Sequence, residues 1–199
     1  AAAAGSADPV VRAGVQELAR VLRGGSVELF AAGLCDAETA VRLQAVRGLV
    51  SLDAADALAA GATDPAREVR VAVGEGLGVI GDPASAAVLA VLAEDPDPLV
   101  RAGAFTGAAG LGGALAELAE RPDPAWQVRK AAAGVLGAAG RWNALTALAT
   151  DGNGDVRKAA VRAMAAGAAE AHVAAALRER LTDGDADVRA YARLALGGA

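Results

Sequence analysis

At 199 residues the chain is long enough to bury a continuous core, and its 54% hydrophobic but only 3% aromatic content makes that core chiefly one of Ala, Val and Leu. Small side chains with few β-branched or aromatic runs favour closely packed helices over sheets, so the expected fold class is all-α. The balance of 19 basic and 24 acidic side chains, a formal net charge of -5, argues against coating a polyanion such as DNA or RNA, and charges recur too often for an apolar run to reach the ~18 residues of a membrane span.

Residues 1–7 have neither the basic start nor the apolar centre of a signal peptide and read as a flexible leader or a cloning remnant. The remainder, 8–199, is expected to form a single solenoid. A period organises it. Val-Arg pairs stand at Val11-Arg12, Val41-Arg42, Val69-Arg70, Val100-Arg101, Val128-Arg129, Val156-Arg157 and Val188-Arg189, with steps of 30, 28, 31, 28, 28 and 32 residues. Six residues before every arginine but the first comes an aspartate: Asp36, Asp64, Asp95, Asp123, Asp151 and Asp183. Three residues after each arginine stands a small apolar residue, and seven after stands Ala, Leu or Met, the one-face spacing of an amphipathic helix.

Each of the seven units therefore reads as a first helix, a short turn carrying the aspartate, and a second helix opened by Val-Arg. In the second unit Cys35 reads as a small core residue, and as the single cysteine it suits a reducing, cytoplasmic setting. The third unit places Gly74, Gly76 and Gly78 inside a helix, each at a cost of about 1 kcal/mol against alanine, which close helix contacts would offset. The fourth unit is the best marked. A first helix over 84–93 meets Asp95-Pro96-Asp97-Pro98, in which Asp97 caps the next helix and Pro98 takes its first position. Gly81, Gly140 and Gly167 close second helices, where a left-handed terminal residue suits glycine.

An arginine at a helix start opposes the helix dipole unless a carboxylate meets it, and the aspartates supply one. The twelve residues Asp36, Arg42, Asp64, Arg70, Asp95, Arg101, Asp123, Arg129, Asp151, Arg157, Asp183 and Arg189 are thus expected to form a structural ladder of bidentate contacts that lysine could not reproduce. Asp, four residues, then Val-Arg at the start of a second helix resembles the hallmark of HEAT repeats, over about residues 8–197. The unit length is similar to that of the short HEAT-like repeats of the phycobilisome lyases, and Leu77-Gly78-Val79-Ile80-Gly81-Asp82-Pro83 resembles their inter-repeat linker. The first-helix proline of the longer HEAT form is missing at the matching places. The resemblance implies a right-handed α-solenoid, an α-α superhelix of about seven two-helix repeats, with second helices lining the concave face.

On that face the resemblance places Arg47, Glu75, Thr106, Lys130, Lys158, Arg162 and Tyr191 as candidate partner contacts, with Trp126 and Trp142 as a candidate aromatic patch at the turns. Residues 1–120 hold 8 basic and 16 acidic side chains and residues 121–199 hold 11 and 8, so a partner acidic towards the C-terminal half is expected. Chemistry finds little to use. His172 is the single histidine, the paired carboxylates Asp95/Asp97 and Asp183/Asp185/Asp187 sit in turns that need caps, and Gly76, Gly78 and Gly81 fit a dinucleotide fingerprint without its strand. No catalytic, metal or cofactor site is expected. The functional expectation is a non-catalytic protein- or peptide-binding scaffold, a regulatory or assembly module. The alternative is a nucleic-acid binder or enzyme resembling the HEAT-like DNA alkylpurine glycosylases.

Overall fold

A computed structural model describes residues 5–197, and among these every regular element is helical. The chain divides into two compact units between Gly107 and Ala108. In unit 1, α1 is Pro9–Val21, α2 Val27–Gly33, α3 Thr39–Ser51, α4 Ala55–Ala59, α5 Arg67–Ile80, α6 Ala86–Leu92 and α7 Pro98–Ala109, whose last turn carries the division. In unit 2, α8 is Ala116–Ala119, α9 Trp126–Ala138, α10 Trp142–Leu148, α11 Gly154–Met164, α12 Ala171–Glu179 and α13 Ala186–Gly197. The odd-numbered helices carry the Val-Arg pairs and are the second helices; the shorter even-numbered ones are the first. Within each unit consecutive second helices pack side by side, α1 on α3 on α5 and α9 on α11 on α13, as in the α-solenoid class.

Helix starts follow local chemistry. Asp8, Asp97, Asn153 and Asp185 each accept a hydrogen bond from the backbone N–H two residues on, and Pro9 and Pro98 occupy first positions that need no donor. Gly81 and Gly140 end second helices at φ of 74° and 64°. Gly167 does not. It lies in a 3-10 turn, Ala165–Gly167, and its bare Cα makes room for the Trp142 ring, which a Cβ would meet at 2.8 Å. The first helix expected over 84–93 is a 3-10 turn at Pro83–Ser85 followed by α6.

The core is the seam between first and second helices. The valines preceding Arg42, Arg70, Arg101, Arg129, Arg157 and Arg189 are at most 2% exposed, and Ala45, Val73, Ala104, Ala160 and Ala192 are fully buried with them. First helices contribute Phe30, Leu58, Leu89, Leu92, Leu145, Val173 and Leu177, all buried, each burial contributing about 1.5–3 kcal/mol. Cys35 is not in this seam. It is exposed in the turn after α2, because the chain leaves the helix there to present Asp36.

The helical glycines mark a close approach of α5 and α7. A Cβ on Gly74 would stand 3.1 Å from the Ala104 amide nitrogen, one on Gly78 would collide with the Gly107 backbone, and one on Gly107 with the Gly74 carbonyl. The intrinsic helix cost of these glycines is offset by backbone-to-backbone packing. The position four residues after the arginine is buried as Val46, Gly74, Phe105, Ala133 and Val161, and at Gly74 it faces the next second helix, α7. In the first repeat it is Gln16, buried with its Oε1 unpartnered, and in the seventh it is Arg193, exposed. No helix among the described residues is long and apolar enough to cross a membrane.

Two stability changes are expected. Gly78→Ala forces α5 from α7 and lowers the unfolding free energy by about 1–3 kcal/mol, whereas Gln16→Met removes a buried orphan acceptor and raises it by about 1 kcal/mol. Urea unfolding followed by circular dichroism checks both; a neutral Gly78→Ala would mean that α5 and α7 have room to spare.

Candidate functional site

The repeated arginine is read from two sides. Arg42 donates from Nε to Asp64 Oδ2 at 2.7 Å and from Nη2 to Asp64 Oδ1 at 3.0 Å, while its Nη1 donates to the carbonyls of Asp36 and Ala37 at 2.9 and 3.0 Å. Asp64 Oδ1 also accepts from the Ala66 amide at 2.8 Å, so one carboxylate closes its own turn and holds the preceding repeat's guanidinium. The same rung recurs as Arg12 with Asp36, Arg70 with Asp95, Arg129 with Asp151 and Arg157 with Asp183, each with two N–H to carboxylate bonds of 2.7–3.2 Å. Arg101 clasps the carbonyls of Asp95 and Pro96, and the Asp123 carboxylate accepts from the Ala125 amide. Arg12 makes the carbonyl half of its clasp to Ser6 and Ala7; residues 1–4 lie outside the described residues.

These rungs are partly or fully shielded from water, so the charges perturb one another. The guanidiniums of Arg12, Arg129 and Arg157 hold Asp36, Asp151 and Asp183 below the ordinary carboxylate range. For Asp95 burial is the largest influence and pushes upward, but Arg70 and the Asp97 amide together outweigh it and the carboxyl also lies low.

The remaining sequence candidates lie on the second helices, except Trp142, which opens the first helix α10. In unit 1, Arg47, Glu75 and Thr106 are exposed, and the Thr106 hydroxyl donates to the Ala102 carbonyl. The Gln44 amide, oriented to satisfy both its atoms, donates to Glu17 at 2.8 Å and accepts from Arg47 Nη1 at 3.1 Å, and Arg20 pairs with Glu17 at 2.6 Å. In unit 2, Lys158 meets Asp155 at 2.8 Å and stands 3.6 and 3.7 Å from Asp185 and Asp187. Lys130 lies over the Trp126 ring, 5.9 Å from its centroid, and Arg162 over Tyr191 at 5.6 Å. The two tryptophans do not form one patch. Trp126 opens α9 and Trp142 follows its end, about 20 Å further along.

Trp142 instead borders a second feature, a cleft of about 520 Å³ lined with Glu120, Arg141, Asn143 and the exposed His172, with Arg141 3.5 Å from Glu120. Its walls are an ion pair and the edge of a ring already packed on Gly167. Cys35 belongs to unit 1. Asp97 and Asp185 serve as helix caps and Asp95 and Asp183 as rungs, so the paired carboxylates already have partners. Among the described residues no group of three or more His, Cys, Asp and Glu side chains is arranged to hold a metal ion.

Stacked helical hairpins tied by an arginine ladder, with charged and aromatic side chains ranged along the second helices, define a helical-repeat protein of the α-solenoid class. A HEAT-repeat profile matches residues 55–120 and 112–197, and the chain belongs to the HEAT-repeat family. No curated protein matches it. Among solved structures it is similar to the complex of CpcE and CpcF of phycocyanin lyase from Nostoc sp. PCC7120, at 25% identity over 87% of this chain and 75% of that one, with a TM-score of 0.64. The Escherichia coli protein YibA shares the fold at 21% identity, over 96% of this chain and 75% of that one, TM-score 0.70. So does a designed armadillo repeat protein at 18% identity, over 97% and 95%, TM-score 0.52.

Removing one side of the most buried rung is expected to be costly. Asp64→Ala strands the buried Arg42 guanidinium and lowers stability by about 3–5 kcal/mol, while Arg42→Met with Asp64→Leu recovers most of it. A double-mutant cycle in urea checks this. The depressed carboxyl values of Asp36, Asp95, Asp151 and Asp183 contribute stability that is complete above the ordinary aspartate value near 4 and lost as the pH falls through the lower folded values. Thermal melts should therefore drop progressively below about pH 4; a melting temperature flat from pH 5 to pH 2 would contradict the rung energetics.

Proposed function

We propose that this chain is a non-catalytic scaffold that binds another protein or an extended peptide on the exposed faces of its second helices, as a regulatory or assembly module in the cytoplasm. The face of unit 2 takes the acidic part of the partner. The observation that carries this is the state of its cations. Lys158 is engaged by three carboxylates, but Lys130 and Arg162 rest on aromatic rings with no carboxylate at ion-pair distance among the described residues. An exposed cation held over a ring is oriented and still able to accept an anion, and Trp126 and Tyr191 add flat apolar area beside it. The similar phycocyanin lyase structure is itself a complex of two chains, which fits a module that works against a partner.

Selection from a displayed library of random peptides tests the reading. The parent chain is expected to enrich acidic peptides containing an apolar or aromatic residue, and Lys130→Glu with Arg162→Glu to weaken those peptides about tenfold or more. Undiminished binding by the double variant removes the proposed surface. Salt-sensitive binding of a short DNA duplex in place of peptides would favour the nucleic-acid reading.

A further inference from the structure

A glycine inside a helix is unfavourable against alanine, and in α3, α5, α7 and α9 that cost is matched by a neighbour that leaves no room for a side chain. A Cβ on Gly48, Gly76 or Gly137 would collide with Phe30, Val50 or Ala163, and Gly74 and Gly78 face Gly103 and Gly107. Gly134 is the exception. It stands in the middle of α9, it is exposed, and outside its own helix a Cβ there would meet within 4 Å only the Ala109 methyl, at 3.3 Å, a contact that a small shift relieves. The two ring-held cations flank it. Lys130 is four residues earlier on the same helix face, but its side chain runs back towards the start of α9 to lie over Trp126. Arg162 holds the equivalent place on α11, five residues after its repeat's arginine as Gly134 is, and leans the other way, over Tyr191 of α13. The two helices are close at this level, since a Cβ on Gly137 would stand 2.9 Å from the Ala163 methyl. A bare turn of helix backbone thus lies exposed between two unspent cations, while Lys158, one turn before Arg162, is already met by Asp155, Asp185 and Asp187.

We propose that an acidic segment of another polypeptide crosses α9 at Gly134 in an extended conformation, its main chain lying on the bare helix turn and its acidic side chains reaching Lys130 on one side and Arg162 on the other. This rests on the peptide-binding reading of unit 2 and adds the path and the form of the guest. An extended main chain can bring a carbonyl against the glycine Cα–H, a contact that any side chain at this position would block. A helical guest rides on its own side chains and gains nothing from the missing Cβ. Packed helix axes lie about 8–10 Å apart, and with both cations turned outwards their charges stand on the order of 15 Å apart, which an extended chain covers in about four residues at ~3.3 Å each. The guest therefore carries an acid, three neutral residues of which the central one is small, and a second acid.

The probe is a labelled, acetylated and amidated peptide, Tyr-Glu-Pro-Gly-Pro-Glu-Tyr, whose prolines exclude a helix, titrated against the 199-residue chain by fluorescence anisotropy. Saturable binding is expected, weakened about threefold by Gly134→Ala and about tenfold or more by Gly134→Leu, with the circular dichroism of the chain unchanged. Gly134→Ala combined with Ala109→Gly relieves the internal contact and leaves the methyl in the guest's path, so it should bind as weakly as Gly134→Ala alone. Recovery of parental affinity by that double variant would assign Gly134 to helix packing and overturn the proposal. Equal affinity for parent, Gly134→Ala and Gly134→Leu also overturns it; if Lys130→Glu with Arg162→Glu still abolishes binding, the peptide-binding face survives without this path, and if that change is silent too, both fall. Failure of the proline peptide to bind, whether or not its counterpart Tyr-Glu-Ala-Ala-Ala-Glu-Tyr does, overturns the extended guest.

Discussion

The structure rests on a guanidinium that is shared between two successive turns. Arginine has five N–H donors in a rigid plane, and here Nη1 is spent on two carbonyls of its own turn while Nε and Nη2 grip a carboxylate of the next. The two halves perform different tasks. The carbonyl clasp fixes the side chain before anything docks, and the carboxylate fork joins one repeat to its neighbour. Lysine has neither the plane nor the number of donors for both. The cost of bringing these charges away from water is met by pairing in which the aspartate is also satisfied by a turn amide, so a single well-connected rung leaves no orphan group.

Around that rung the apolar seam is almost interchangeable from repeat to repeat, and side-chain size sets how closely second helices approach. Val46 and Phe105 are buried through large side chains, whereas Gly74 and Gly78 face Gly103 and Gly107 backbone against backbone. A chain rich in alanine and glycine lacks large side chains for anchoring, so its specificity comes from polar registration. On the exposed faces of the second helices the cations are either neutralised, as Lys158 is, or held over rings, as Lys130 and Arg162 are.

The Asp and Val-Arg rhythm made the fold class and the repeat legible, because Val-Arg recurs seven times and the aspartate six, carrying the helix period and the turn. The helical glycines could be counted but not paired, since nothing in the spacing of Gly74 and Gly78 names Gly103 and Gly107 as the opposing surface. Cys35 was placed in the core on residue type alone, and the turn that presents Asp36 put it in water. Gly167 carried the mark of a left-handed terminus, but its role is space for Trp142, a long-range contact with no local signal. The carbonyl clasp was invisible because backbone acceptors have no letter in a sequence. The sum of charges in the C-terminal half likewise gave no sign that Lys158 is spent while Lys130 is free to act.

The rung also has a direction. Each arginine is clasped by its own turn and awaits the carboxylate of a turn that comes later in the chain. During synthesis each guanidinium and the two carbonyls that clasp it are thus translated before the partner carboxylate. Within a run of such repeats, no partner carboxylate is therefore made before the cation that receives it.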